Sequence, residues 1–230
     1  INLNILICFR VIENCVDTIE DTGEFPRTLI QNQTVSHEML EGKIGYIEVT
    51  GFEDTTVGQF EDALQKLTDQ KMENLIIDLR GNPGGNLSVV VEMCDMILPE
   101  GTIVSVKDRN GKGEVFTSDE EHKLNVPLVV LVNGNSASAS EIFAGAVKDY
   151  GAGTLVGTTT FGKGIVQNIY GLPDNTSFKI TSSEYFTPNG TNIHGVGVEP
   201  DVVIEYEYDE ENPEADNQLD KAIEILKNGM

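Results

Sequence analysis

Three serines alternate with alanines in Ser136-Ala137-Ser138-Ala139-Ser140-Glu141, and a glycine-framed lysine follows in Phe161-Gly162-Lys163-Gly164. A serine hydroxyl is a weak nucleophile and needs a base within reach. Lysine can be that base only when neutral, and its ordinary pKa of about 10.4 is too high for that near pH 7. Burial and an absence of carboxylate partners bring it down. From Gly157 to Tyr170, GTTTFGKGIVQNIY, there is no Asp or Glu, although the chain carries 38 acidic residues. The ordinary alternative is a surface lysine in a glycine loop. On residue chemistry alone, any of Ser136, Ser138 and Ser140 could attack while the others cap a helix or pack.

The flanking pattern says what must hold these groups. Pro127 to Val132 is a short, β-branched apolar run, which predicts a buried strand. Asn133-Gly134-Asn135 predicts a turn. Ile142, Phe143, Ala146 and Val147 then recur at helical spacing up to Tyr150. A strand therefore enters a tight turn and a helix leaves it, with the serines at the corner. Unpaired N–H groups and the positive dipole end favour a developing oxyanion there. The N–H of Ala139 is one candidate donor. A second strand end, Asp78-Leu79-Arg80-Gly81-Asn82-Pro83-Gly84-Gly85, offers glycines that permit close backbone approach. It lacks the Lys-Ser/Thr of a phosphate-cradling loop and the spacing of a dinucleotide fingerprint.

Together, SASASE from Ser136, FGKGIVQ from Phe161 and DLRGNPGG from Asp78 resemble the carboxyl-terminal processing peptidases, also called tail-specific proteases. The likeness runs from about Lys43 to about Ile204. It implies an α/β fold, a crotonase/Clp-protease-like core of strand–helix crossover units with additional hairpins. It implies Ser138 as nucleophile and Lys163 as base, 163 − 138 = 25 positions on. It implies Gln167 as a residue that positions the lysine, and an oxyanion hole from Ala139 and Gly84, with Gly85 the near alternative. On a straight strand, Lys163 and Gln167 would lie ~13 Å apart at ~3.3 Å per residue. Their contact requires a bend, for which Gly164 is a candidate. No His, Cys and carboxylate cluster has metal-ligand spacing, and no metal or cofactor is expected. The resemblance further implies unfolded or C-terminal protein segments as substrate, and an extracytoplasmic setting. A peptide substrate could bind as an added strand.

The family usually carries a peptide-binding PDZ domain before this core. Residues 1–42 are too short for one, and are expected to be a PDZ remnant or an arm that docks on the core or on a second copy. Residues 43–208 are expected to be the catalytic core, and 209–230 an acidic linker followed by a C-terminal helix packed on it. Strand–helix alternation through Lys43–Leu98 argues for parallel crossovers. Hairpins are predicted around Asp108–Gly111 and Pro173–Asn175.

Composition excludes other classes. Fifteen basic against 38 acidic residues give a formal charge of −23 over 230 residues, a poor match to nucleic acid or an anionic membrane. No run reaches the ~20 apolar residues of a membrane span. Cys8, Cys15 and Cys94 are too few and odd in number for a disulfide framework, although Cys8 and Cys15 could pair. Cys94 lies in an apolar helical run and reads as a core thiol. His37, His122 and His194 could in number supply a Ser–His–Asp triad, but only His194 has a glycine-rich setting, read as structural or rim. Two rival readings stand beside the protease. One is an inactive, peptide-binding member of the same family. The other is a crotonase-like acyl-thioester enzyme, which would need a basic phosphate site near DLRGNPGG.

Overall fold

The structure, a computed structural model, describes residues 32–119, 124–174 and 176–229. Cys8, Cys15, His122 and most of the N-terminal arm lie outside the described residues. In chain order the elements are β1 (Val35–Leu40), β2 (Ile44–Val49), α1 (Thr56–Asp69), β3 (Asn74–Asp78), α2 (Leu87–Asp95), β4 (Gly101–Asp108) and β5 (Gly113–Ser118). They continue with β6 (Leu128–Val132), α3 (Ala139–Tyr150), β7 (Thr154–Gly157), β8 (Ile165–Gly171), β9 (Ser177–Phe186), β10 (Val202–Val203) and α4 (Asn217–Asn228).

The expected crossovers are present. One sheet has the order β1-β2-β3-β6-β7-β10, parallel throughout except for β1. All five residues of β6 are buried because both faces of the sheet are covered. Leu128, Val130 and Val132 pack in the core with Phe60, Ala63 and Leu67 of α1, Val90 and Met93 of α2, and Phe143 and Val147 of α3. Val129 and Leu131 point the other way, against Ala222 and Leu226 of α4. The two predicted hairpins form a second, antiparallel sheet of order β5-β4-β9-β8. Among the described residues, β8 is therefore an edge strand.

Three expectations change in detail. The helix predicted to reach Leu98 ends at Asp95, and the N–H groups of Ile97 and Leu98 turn back to the Cys94 carbonyl at 3.1 and 2.9 Å. Pro99 follows, and a residue before proline is pushed out of the helical region. The compact unit begins at Asn32 rather than Lys43, since β1 pairs with β2 from Val35↔Val49 to Leu40↔Ile44. Asp216, the end of the run read as solvated linker, is an anchor. Its carboxylate accepts the N–H groups of Gln218 and Leu219 at 3.1 and 3.0 Å, capping α4. It also takes both terminal nitrogens of Arg80, at 3.0 and 2.7 Å.

Arg80 in turn donates from Nε to both oxygens of Asp78 at 3.0 Å. The guanidinium thus ties the end of β3 to the start of α4, with side chains 15% exposed for Arg80 and 5% for Asp78. Replacing Arg80 by Ala leaves a buried carboxylate without its cation, a loss of about 3–5 kcal/mol. Urea denaturation at pH 7 reads it. Burial raises the Asp216 pKa, but Arg80 and the capped N–H groups outweigh burial and hold it below the ordinary carboxylate value. A depressed folded pKa contributes stability above the unfolded value, about 3.9, that is lost as the pH falls through the folded one. Asp216→Asn is expected to flatten this acid-side loss.

Candidate active site

The three serines separate by their partners. Ser136 Oγ donates to the Leu79 carbonyl at 2.8 Å and accepts from Asn133 N–H at 2.9 Å. Ser140 Oγ donates to the Asn82 carbonyl at 2.9 Å. Both are buried and pin the corner to the turn after β3. Ser138 is half-buried and lines an open cleft. Its backbone is at φ 57°, ψ −112°, a conformation costly for any residue with a Cβ. A strained strand–turn–helix corner of this kind is suited to presenting a nucleophile.

Glu141 holds that corner. It sits fully buried in the first turn of α3. Its carboxylate accepts four hydrogen bonds: from Ser138 N–H at 2.9 Å, Lys163 N–H at 2.8 Å, Gly162 N–H at 2.6 Å and Thr160 Oγ1 at 2.7 Å. One side chain thus binds the backbone of the serine to that of the lysine. The sequence shows a Glu three residues after a capping Ser, which signals a capping box. It does not show that the same carboxylate reaches the lysine loop. Tyr185 on β9 was also not singled out. Its hydroxyl donates to the Lys163 carbonyl and meets the Ser138 side chain, and burial pushes its pKa up.

Ser138, Ala139, Lys163, Gln167, Gly85 and Tyr185 line one cleft of about 280 Å³. A larger groove of about 570 Å³ lies between α1 and α2 with Leu64, Met72 and Met96 in its wall, and holds none of these groups. Chemistry, rather than size, marks the smaller one as the candidate site. Gln167 reaches it through a β-bulge between Val166 and Gln167, and Gly164 precedes β8, so Lys163 and Gln167 do not share a straight strand. The Gln167 amide nitrogen donates to Thr181 Oγ1 at 3.4 Å.

The glycine turn differs from expectation. The Gly84 N–H is taken by Asn82 Oδ1 at 2.9 Å, so it is not free for an oxyanion. Gly84 serves by lacking a side chain: a Cβ there would lie 2.5 Å from the Ala137 carbonyl oxygen and 2.8 Å from Ser138 Cβ. At Gly85 the backbone bridges to Phe52 through the Gly84 carbonyl and the Asn86 N–H. In that pattern the N–H of Gly85 itself points to the opposite side. Asn82, fully buried, fixes the turn by donating to the Val49 carbonyl at 2.8 Å.

His37 and His194 are exposed and line no part of the cleft. The guanidinium of Arg80 is occupied by carboxylates, so DLRGNPGG offers no free cation to a thioester's phosphates. Among the described residues, no cluster of three or more His, Cys, Asp or Glu could hold a metal ion. No helix there is long and apolar enough to cross a membrane.

Residues 43–204 match the sequence profile of peptidase family S41. The chain belongs to peptidase family S41. A carboxyl-terminal-processing protease of Synechocystis sp. is 40% identical over 211 residues, covering 89% of this chain and 49% of that protein. The carboxy-terminal processing protease CtpA of Bacillus subtilis is 38% identical over 180 residues, 78% of this chain and 39% of the relative. The chain thus spans about half or less of the length of these S41 relatives. Among solved structures, the photosystem II D1 C-terminal processing protease superposes with a TM-score of 0.70 at 32% identity, covering 76% of this chain and 49% of the other. A putative S41 protease of Bacteroides fragilis, at 17% identity and a TM-score of 0.70 over 88% of this chain and 59% of that one, shares the fold. The α/β, Clp-protease-like expectation holds for this S41 chain.

Proposed function

We propose that this S41 chain is a serine endopeptidase that processes C-terminal or unfolded segments of proteins. One observation carries the reading: Ser138 and Lys163 line the same cleft, with their backbones held by the single carboxylate of Glu141. Lys163 Nζ, when neutral, takes the proton from Ser138 Oγ. The oxygen attacks the scissile carbonyl carbon, and the oxyanion is held by the N–H groups of Ala139 and Gly85. The C–N bond breaks as Lys163 returns the proton to the leaving amine, and water then releases the acyl group. Gln167 and Tyr185 position the lysine, by its side chain and its backbone respectively.

The edge position of β8 supports the mode of binding. It starts two residues after Lys163 and, among the described residues, leaves one side without a partner strand. An extended peptide can add there as a fifth strand, through main-chain hydrogen bonds that demand little sequence. The family resemblance supports an extracytoplasmic setting.

The test is cleavage of unfolded casein by the chain, with mass mapping of a fluorophosphonate adduct. The expected result is turnover, inhibited in step with modification of Ser138 alone. Folded protein that neither cleaves nor takes the label at Ser138 would overturn the reading and favour the inactive, peptide-binding member.

A further inference from the structure

Lys179 is a cation of the cleft with no assigned task. It stands on β9 opposite Ile169 of β8 and lines the same cleft as Ser138 and Lys163. Residues opposite one another in an antiparallel pair share a face. The face of the hairpin that carries Lys179 therefore also carries Gln167, Ile169, Gly171, Ser177 and Thr181, none of them charged. The other face stacks Tyr170 on Phe178, with ring centroids 5.2 Å apart. Alternation thus places the charge on the catalytic side.

Of the lysines that line the cleft, Lys163 is the expected base, and Lys179 is the other. Lys43, Lys66, Lys148 and Lys221 each meet a carboxylate within 4.0 Å. Lys179 makes no ion pair or hydrogen bond among the described residues, in a chain with a formal charge of −23. Its distance from the chemistry is also set. Thr181 faces Gln167, and Lys179 is two residues farther from the catalytic end, about 7 Å at the rise of a strand.

Resting on the protease reading, we propose that Lys179 is a specificity-determining residue that binds a carboxylate of the substrate two to four residues from the scissile bond. The carboxylate is carried by an acidic side chain or by the end of the peptide chain. Lys179 is exposed at the cleft, so an ammonium–carboxylate hydrogen bond there is charge-assisted but screened by solvent. Such a contact favours the carboxylate over its amide by about 2–5-fold.

The test uses fluorescent peptides of one apolar sequence. Asp or Asn is placed in turn at each of four positions on either side of the scissile bond, with a free or an amidated C-terminus. Binding is measured by anisotropy on the full chain carrying Ser138→Ala, and kcat/KM on the unaltered chain. The expected result is a preference of about 2–5-fold for one carboxylate position, falling to about one in Lys179→Ala, retained in Lys179→Arg, and reversed toward Asn in Lys179→Glu. The Asp series and the free-end series tell the two carboxylate sources apart. A preference that survives Lys179→Ala, or cleavage and binding with no preference at any position, overturns the proposal. Lys179-dependent binding without cleavage would sustain it and overturn the protease reading instead.

Discussion

Ser138→Ala and Lys163→Ala each remove turnover of unfolded casein, by about 10⁴-fold or more, and the double variant is no worse than either single one. The two groups act as one unit: a serine without its base is as inert as a base without its serine. The loss comes from chemistry rather than from folding. Ser138 is half-buried, its strained φ of 57° is no costlier for Ala than for Ser, and Lys163 forms no ion pair among the described residues. Far-UV circular dichroism and the urea midpoint are expected to stay near the unaltered values. Lys163→Arg is the sharper variant. It keeps the charge and most of the length, yet a guanidinium cannot be deprotonated, so it is equally dead. Turnover by Lys163→Arg within tenfold of the unaltered chain would remove Lys163 from the role of base.

Glu141→Ala is expected to cost about 4 kcal/mol or more, a large part of the 5–15 kcal/mol of a typical domain. Four donors converge on this buried carboxylate, and their loss leaves buried N–H and O–H groups unpaired. Glu141→Gln separates the two tasks of the residue. It keeps volume, but its –NH₂ turns a donor toward other donors on one side. The expected result is a folded protein, less stable by about 2–4 kcal/mol, with kcat lower by about 100-fold or more and KM little changed. The reason is geometric, since Ser138 and Lys163 lose the shared support that sets their separation. Urea denaturation with steady-state kinetics reads both effects. Stability lost without loss of kcat would make Glu141 a folding residue only.

Much of the fold was legible in local pattern. The β-branched run before Asn133, the helical spacing after Ser138 and the alternation through Lys43–Leu98 each report a period set by backbone geometry, which neighbours in sequence reveal. The hairpins were legible from their turn residues for the same reason. β1 was missed because VSHEML has no strong period of its own; what makes it a strand is pairing with β2.

The site was legible as a set of residue types in two short segments, with Ser138 singled out only by resemblance. What determined that much was composition at a corner: a strand, a turn and a helix with small residues and serines, then a lysine among glycines without carboxylates. The tertiary structure decided the rest. Ser136 and Ser140 spend their hydroxyls on carbonyls 57 and 58 residues earlier, which leaves Ser138 to the cleft. The Gly84 N–H goes to Asn82, and Gly85 is the glycine of that turn that lines the cleft. Glu141 reaches the lysine loop 21 and 22 residues on, and Arg80 finds Asp216 at a separation of 136. Each of these is a directed hydrogen bond between distant parts of the chain. Such bonds form only once the sheet and helices have brought the groups within about 3 Å, and no local period records them.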